Sequence, residues 1–82
     1  MIKKELVNDS LIGKTVIYQA FNKIEVGKVT SLSPDKIYIR CIFRVAIQIN
    51  FKQELYTTYR YGDTSESCNP SDLTIINFDT QD

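Results

Sequence analysis

From Ile37 to Phe51 every odd position is apolar: Ile37, Ile39, Cys41, Phe43, Val45, Ile47, Ile49 and Phe51. The even positions beside them, among them Tyr38, Arg40, Arg44, Gln48 and Asn50, are mostly polar. Side chains return to one face of a pleated strand every second residue, so the run predicts β structure with its odd residues in a core. Drawn straight at about 3.3 Å per residue, it would span roughly 50 Å, so it is expected to bend strongly or bulge around a small domain. No Gly, Asn, Asp or Pro lies between Ile37 and Gln48, which argues against a tight hairpin there. Ile47, Phe51, Leu55 and Tyr59 also recur every four residues, which leaves a helix over residues 45–60 as the alternative. Against it stand VAIQI and YTTY, whose β-branched and aromatic side chains lose rotamer freedom in a helix.

Further strands fit around this run. Thr15–Phe21 reads as a strand, joined by a tight Asn22-Lys23 connection to Ile24–Leu32, in which Gly27 marks an expected bulge. SPDK at 33–36 is a turn, with Pro34 and Asp35 at the positions that suit them, so Val26–Leu32 should pair antiparallel with Ile37–Phe43. NFKQE at 50–54 reverses the chain into Leu55–Tyr61, which ends at Gly62. DTSESCNPSD reads as loop, with Ser71-Asp72 able to cap a single turn; Leu73–Phe78 closes the order, and the tail DTQD is expected to fray. With no repeat, linker or βα alternation, residues 1–82 predict one all-β domain, a small antiparallel five-stranded barrel with one long bent central strand.

Composition narrows the chemistry. Eighty-two residues without a single histidine leave general acid–base work to carboxylates, and these are scattered through turns and the tail; no catalytic residue is expected. Cys41 and Cys68 form no CxxC pair, so the usual zinc sets are out of reach; Cys41 should be buried and inert, and Cys68, in a loop, accessible. Asp63, Glu66 and Asp72 lack the spacing of a calcium loop and read as a solvated acidic stretch. The isolated glycines carry no phosphate-binding spacing. No metal and no cofactor is expected. MIKKELVNDS has no apolar stretch of a secretory signal, and no run approaches membrane-spanning length, so a cytoplasmic chain with no membrane partner is expected.

The formal charge is zero but uneven. All ten Lys and Arg lie in residues 1–60, and residues 61–82 hold five acids and no base. Either the fold is a dipole with a basic and an acidic side, or the two halves neutralise each other across the sheet.

SLIGKTVIY, then VGKVTSLSPDKIYIR, then CNPSDLTII resembles, in order, the strands of SH3-like barrels of the Tudor and KOW kind, over roughly residues 10–44 and 62–78. Residues 45–61 depart from the short distal region of that family. The resemblance implies a binding module, and one whose ligand the fold does not name.

Residues 55–63, LYTTYRYGD, crowd three tyrosines and an arginine. If the returning strand presents Tyr56 and Arg60 on the same side as the even positions of the long run, then Tyr38, Arg40, Arg44, Tyr56 and Arg60 share one outer surface. Rings beside guanidinium groups suit a stacked base, a phosphate or an acidic peptide; the same residues equally suit cross-strand packing that only solubilises a sheet. The expected function is a small non-catalytic binding protein with a protein partner, or one sequestering an anionic ligand. It is similar in style to the accessory proteins of phages and mobile elements. A KOW/Tudor-like module binding a nucleotide or nucleic acid, and a structural subunit of a larger assembly, are the alternatives. Zero net charge argues against a nonspecific DNA binder. Open strand edges, with Ile42 facing outward, make a homo-oligomer a further expectation.

Overall fold

The computed structural model describes residues 1–76. The expected fraying at 79–82, and the last two residues of the strand expected over Leu73–Phe78, lie outside the described residues. Two single 3-10 turns, Lys4–Leu6 and Asp9–Leu11, precede β1 (Thr15–Ala20), β2 (Lys23–Leu32), β3 (Ile39–Phe51), β4 (Glu54–Tyr61) and β5 (Glu66–Cys68). A third turn, Pro70–Asp72, leads into β6 (Leu73–Ile76). The sheet is antiparallel, in the order β4-β3-β2-β1-β6, with β5 also paired to β3. It therefore has six strands rather than the expected five, and it is not closed into a barrel. The extra strand is the three-residue β5, inside the stretch expected as loop. Residues 45–60 are strand and turn, so the helical alternative fails. No helix among the described residues is long and apolar enough to cross a membrane.

Two hairpins use two-residue loops in which both central residues have positive φ: Phe21 and Asn22 (52° and 64°), and Lys52 and Gln53 (52° and 66°). That is the backbone signature of the primed turn whose twist matches the flanking strands, and it sits here on residues other than glycine. The first reversal is thus one residue earlier than Asn22-Lys23. Between β2 and β3 the SPDK turn forms as expected. Ser33 Oγ donates to Asp35 Oδ1 (2.6 Å) and accepts from the backbone N–H groups of Ile37 (3.2 Å) and Tyr38 (3.0 Å).

Gly27 is not a bulge. It pairs in register with Val16 on one side and Phe43 on the other, and a Cβ there would lie 2.7 Å from two ring carbons of Phe43. The bulge falls at Thr30, where pairing shifts between Val29 and Ser31. Thr30 Oγ1 donates to the Arg40 carbonyl (3.2 Å) and meets Ser65 Oγ at 2.8 Å.

Val16, Val29, Ile39, Cys41 and Leu73 are sealed from solvent at the centre of the core, and the ring of Phe43 packs 5.7 Å from that of Tyr18. The N-terminal segment supplies Ile2, Val7 and Leu11 to the same cluster. It is pinned by the Ile2 N–H on the Pro70 carbonyl (3.0 Å) and by the α-amino group on Thr74 Oγ1 (2.8 Å). Both cysteines are free thiols, and Cys68 is buried rather than accessible, because β5 turns it inward opposite Ile39. A hydrogen bond with Cys68, together with burial, pushes the Cys41 thiol well above its ordinary range. No buried side-chain nitrogen or oxygen among the described residues lacks a partner.

The long strand does not bend back around this core. β2 pairs with β3 only as far as Phe43, and beyond it β3 continues with β4 as its sole neighbour among the described residues. The two form a projecting hairpin, which makes the molecule 51 × 33 × 22 Å. Ile39 and Phe43 are buried as the alternation predicts; Ile47 is half-buried, and Ile49, expected in the core, is 45% exposed.

Candidate functional site

The projecting arm pairs Arg44 with Tyr61, Val45 with Arg60, Ala46 with Tyr59, and so on out to Phe51 with Glu54. Because the loop holds two residues, every odd residue of β3 stands opposite an even residue of β4, and directly opposed residues share a face. One face of the arm carries Val45, Ile47, Ile49 and Phe51 together with Tyr56, Thr58 and Arg60; it continues the line of Ile39, Cys41 and Phe43 out of the core. The other carries Arg44, Ala46, Gln48 and Asn50 with Leu55, Thr57, Tyr59 and Tyr61. Both faces are open. Val45, Ile49, Phe51, Leu55, Tyr56 and Tyr59 are all between 44% and 72% exposed.

On the apolar face the Tyr56 hydroxyl donates to Glu54 Oε2 (2.5 Å), which raises the tyrosine's pKa above its ordinary value. On the opposite face the Arg44 guanidinium lies 4.4 Å from the centre of the Tyr59 ring, and Lys28 reaches to 5.9 Å from that of Tyr61. Gln48 Nε2 donates to Thr57 Oγ1 (3.0 Å). Where the arm leaves β2, Ile24, Glu25 and Val26 face Arg44 and Tyr59 across an open cleft of about 310 Å³. The Glu25 carboxylate is held there by Lys23 (3.1 Å), which raises the lysine's pKa.

This geometry divides the five residues expected to share one surface. Tyr38 and Arg40 lie at the root, Tyr38 in the approach to β3 and half-buried Arg40 opposite Ser31 and Ser67. Arg44 stands on the tyrosine-rich face, and Tyr56 and Arg60 on the apolar one. The common surface required even residues of β3 to stand opposite even residues of β4, and the two-residue loop forbids that pairing. Arg44 does find an aromatic partner, but it is Tyr59. No family model matches the chain, and neither a curated protein nor a solved structure matches it.

The acidic stretch does not gather. No group of three or more His, Cys, Asp or Glu among the described residues is placed to hold a metal. Lys23–Glu25 is the one ion pair among them, so no ion pair among the described residues joins the basic strands to the acidic loop.

Residues 45, 49, 51, 55 and 59 were not among the expected site positions, because their apolar character reads as core. The signal that marks them is length: a 13-residue strand outruns what ten buried core residues can cover.

Proposed function

We propose that this chain is a non-catalytic binding protein that holds a protein partner through the β3–β4 arm. The observation that carries the reading is the stripe of Val45, Ile49 and Phe51, which leaves the core and stays exposed along one face of the arm. Contiguous exposed apolar area on a small soluble domain marks an interaction surface. Aromatic and arginine side chains, which dominate binding hot spots, flank the stripe as Tyr56 and Arg60. The absence of histidine supports a role without acid–base chemistry. The small antiparallel sheet and the SLIGKTVIY and VGKVTSLSPDKIYIR segments support an SH3-like reading, and an accessory protein that occludes a host enzyme is the role that suits it.

The test is capture of a partner with the full chain, followed by titration of the purified pair. Ile49→Ser with Phe51→Ser should weaken binding at least about tenfold, which corresponds to roughly 1.4 kcal/mol, while the core melt stays in place. Normal binding by that variant sinks the reading. A log-linear fall of affinity with salt, steep enough to count several phosphates, would point to nucleic acid instead.

A further inference from the structure

We infer that the outer edge of β4 pairs with the β4 edge of a second copy of this chain, antiparallel, about a two-fold axis through Thr57. The inference rests on the main chain and not on what covers the apolar face of the arm.

β4 ends the sheet order, so among the described residues one of its edges has no strand beside it. Which groups face that edge follows from the turn. Phe51 and Glu54 flank a two-residue loop and exchange hydrogen bonds, and the Gly62 N–H donates to the Phe43 carbonyl (2.9 Å) in the same phase. Residues 54, 56, 58 and 60 therefore spend their main-chain groups on β3. Leu55, Thr57, Tyr59 and Tyr61 turn theirs outward. Edge strands are usually blunted by proline, inward charge, bulges or shortness, and a two-stranded ribbon is marginal alone in water. This edge has no proline and no bulge and is not short: its eight residues, ELYTTYRY, pair with β3 without a register shift, and its two charges, Glu54 and Arg60, are of opposite sign.

Phase restricts the partner's register. An antiparallel neighbour must present its own outward residues to these, so odd residues meet odd residues. A second copy related by a two-fold axis can then centre only on a single residue near the strand's middle. Centred on Thr57, residues 54–60 overlap completely, Leu55 meets the partner's Tyr59, and Glu54 meets the partner's Arg60 at both ends. Glu54 and Arg60 sit at a non-hydrogen-bonded position, where side chains approach more closely. Centred on Tyr56, Arg60 would face the partner's Lys52, a like charge; centred on Thr58, Glu54 would face the partner's Gly62 and lose its ion pair. Charge complementarity selects Thr57. The product is a continuous four-stranded sheet in which the two arms present their apolar faces side by side.

The experiment measures the mass of the purified full chain by sedimentation across a concentration series. A concentration-dependent dimer is expected, with Glu54→Arg or Arg60→Glu alone weakening it about tenfold and the two reversals together restoring it. Thr57→Cys should cross-link between copies under mild oxidation and Thr58→Cys should not, because hydrogen-bonded partners lie about 5.5 Å apart at Cα, within disulfide reach. Far-ultraviolet circular dichroism confirms that each variant is folded. A monomer at every concentration overturns the inference. So does a dimer that the charge exchange fails to recover, or one that cross-links through position 58 in preference to 57. Ile49→Ser with Phe51→Ser leaves this edge intact, so loss of a heterologous partner and loss of self-pairing are read separately.

Discussion

Truncating Ile39 and Ile49 to alanine, one at a time, locates the end of the core within a single strand. Each change removes the same three carbons, worth about 0.8 kcal/mol apiece when fully buried. Ile39 is sealed, so Ile39→Ala loses about 2.4 kcal/mol of transfer energy plus the penalty of the void left in the buried cluster. The total should be about 3–4 kcal/mol. Ile49 keeps 45% of its surface in water, so Ile49→Ala loses about 1 kcal/mol and leaves a gap open to solvent rather than a closed void. A chain of 82 residues has roughly 4–12 kcal/mol in all, so the first variant gives up a much larger share of it than the second. Urea melts compare the two as shifts in midpoint at constant slope. Thermal midpoints should fall by about 4–8 °C per kcal/mol. Equal losses at the two positions would mean that the arm packs against the core, and the site built on its exposure would go with it.

Gly27→Ala should destabilise by about 1–3 kcal/mol, because the added Cβ meets the Phe43 ring at 2.7 Å, and Phe43→Leu should relieve much of that in a double-mutant cycle. Additive losses would acquit the ring. Asp35 is held below the ordinary aspartate pKa, first by the Ser33 hydroxyl and then by the Ile37 N–H. Its contribution to the turn is therefore complete above about pH 4 and fades as pH falls through the lower folded value. The Ile37 amide shift reports that titration by NMR, and a midpoint at or above the ordinary aspartate value contradicts it.

Alternation between Ile37 and Phe51, the SPDK turn and the LTII segment were legible as strand, turn and strand because each depends on near neighbours. Pairing phase was not. It depends on whether the β3–β4 loop holds two residues or three, and NFKQE has neither the Asn-Gly nor the Asp-Gly pair that would announce a two-residue turn. That one count sends Tyr56 and Arg60 to the face opposite Arg44. The core contributions of Ile2, Val7 and Leu11 were equally hidden, since an irregular segment carries no period. Gly27 looked like a bulge because a strand glycine signals either a bulge or a close approach, and only the ring of Phe43 tells them apart. β5 is three residues of ESC, whose strand state comes from the waiting edge of β3 and not from its own propensity.

Several conflicts left in the structure meet on the arm, though it does not hold all of them. Outside the arm, the buried polar atoms of the described residues are paired, and the second N-terminal turn and the turn before β6 are capped by Asn8 and Asn69, but Phe21 and Ile24 stand in water at the β1–β2 hairpin, whose own turn also has positive φ. Residues 44–61 break several rules together. An apolar stripe stands in water, two edges of a two-stranded ribbon are open, and a left-handed turn is built from Lys52 and Gln53, which adopt that conformation less readily than glycine or asparagine. Each feature costs free energy in the isolated chain, and a chain tolerates such a cluster where it is used. A single occupant would not offset all of them. A partner over the apolar face leaves the β4 edge open, and a strand added to that edge leaves the face exposed. The two proposed contacts therefore ask different things of the arm, one through side chains on its apolar face and the other through the main chain at its β4 edge.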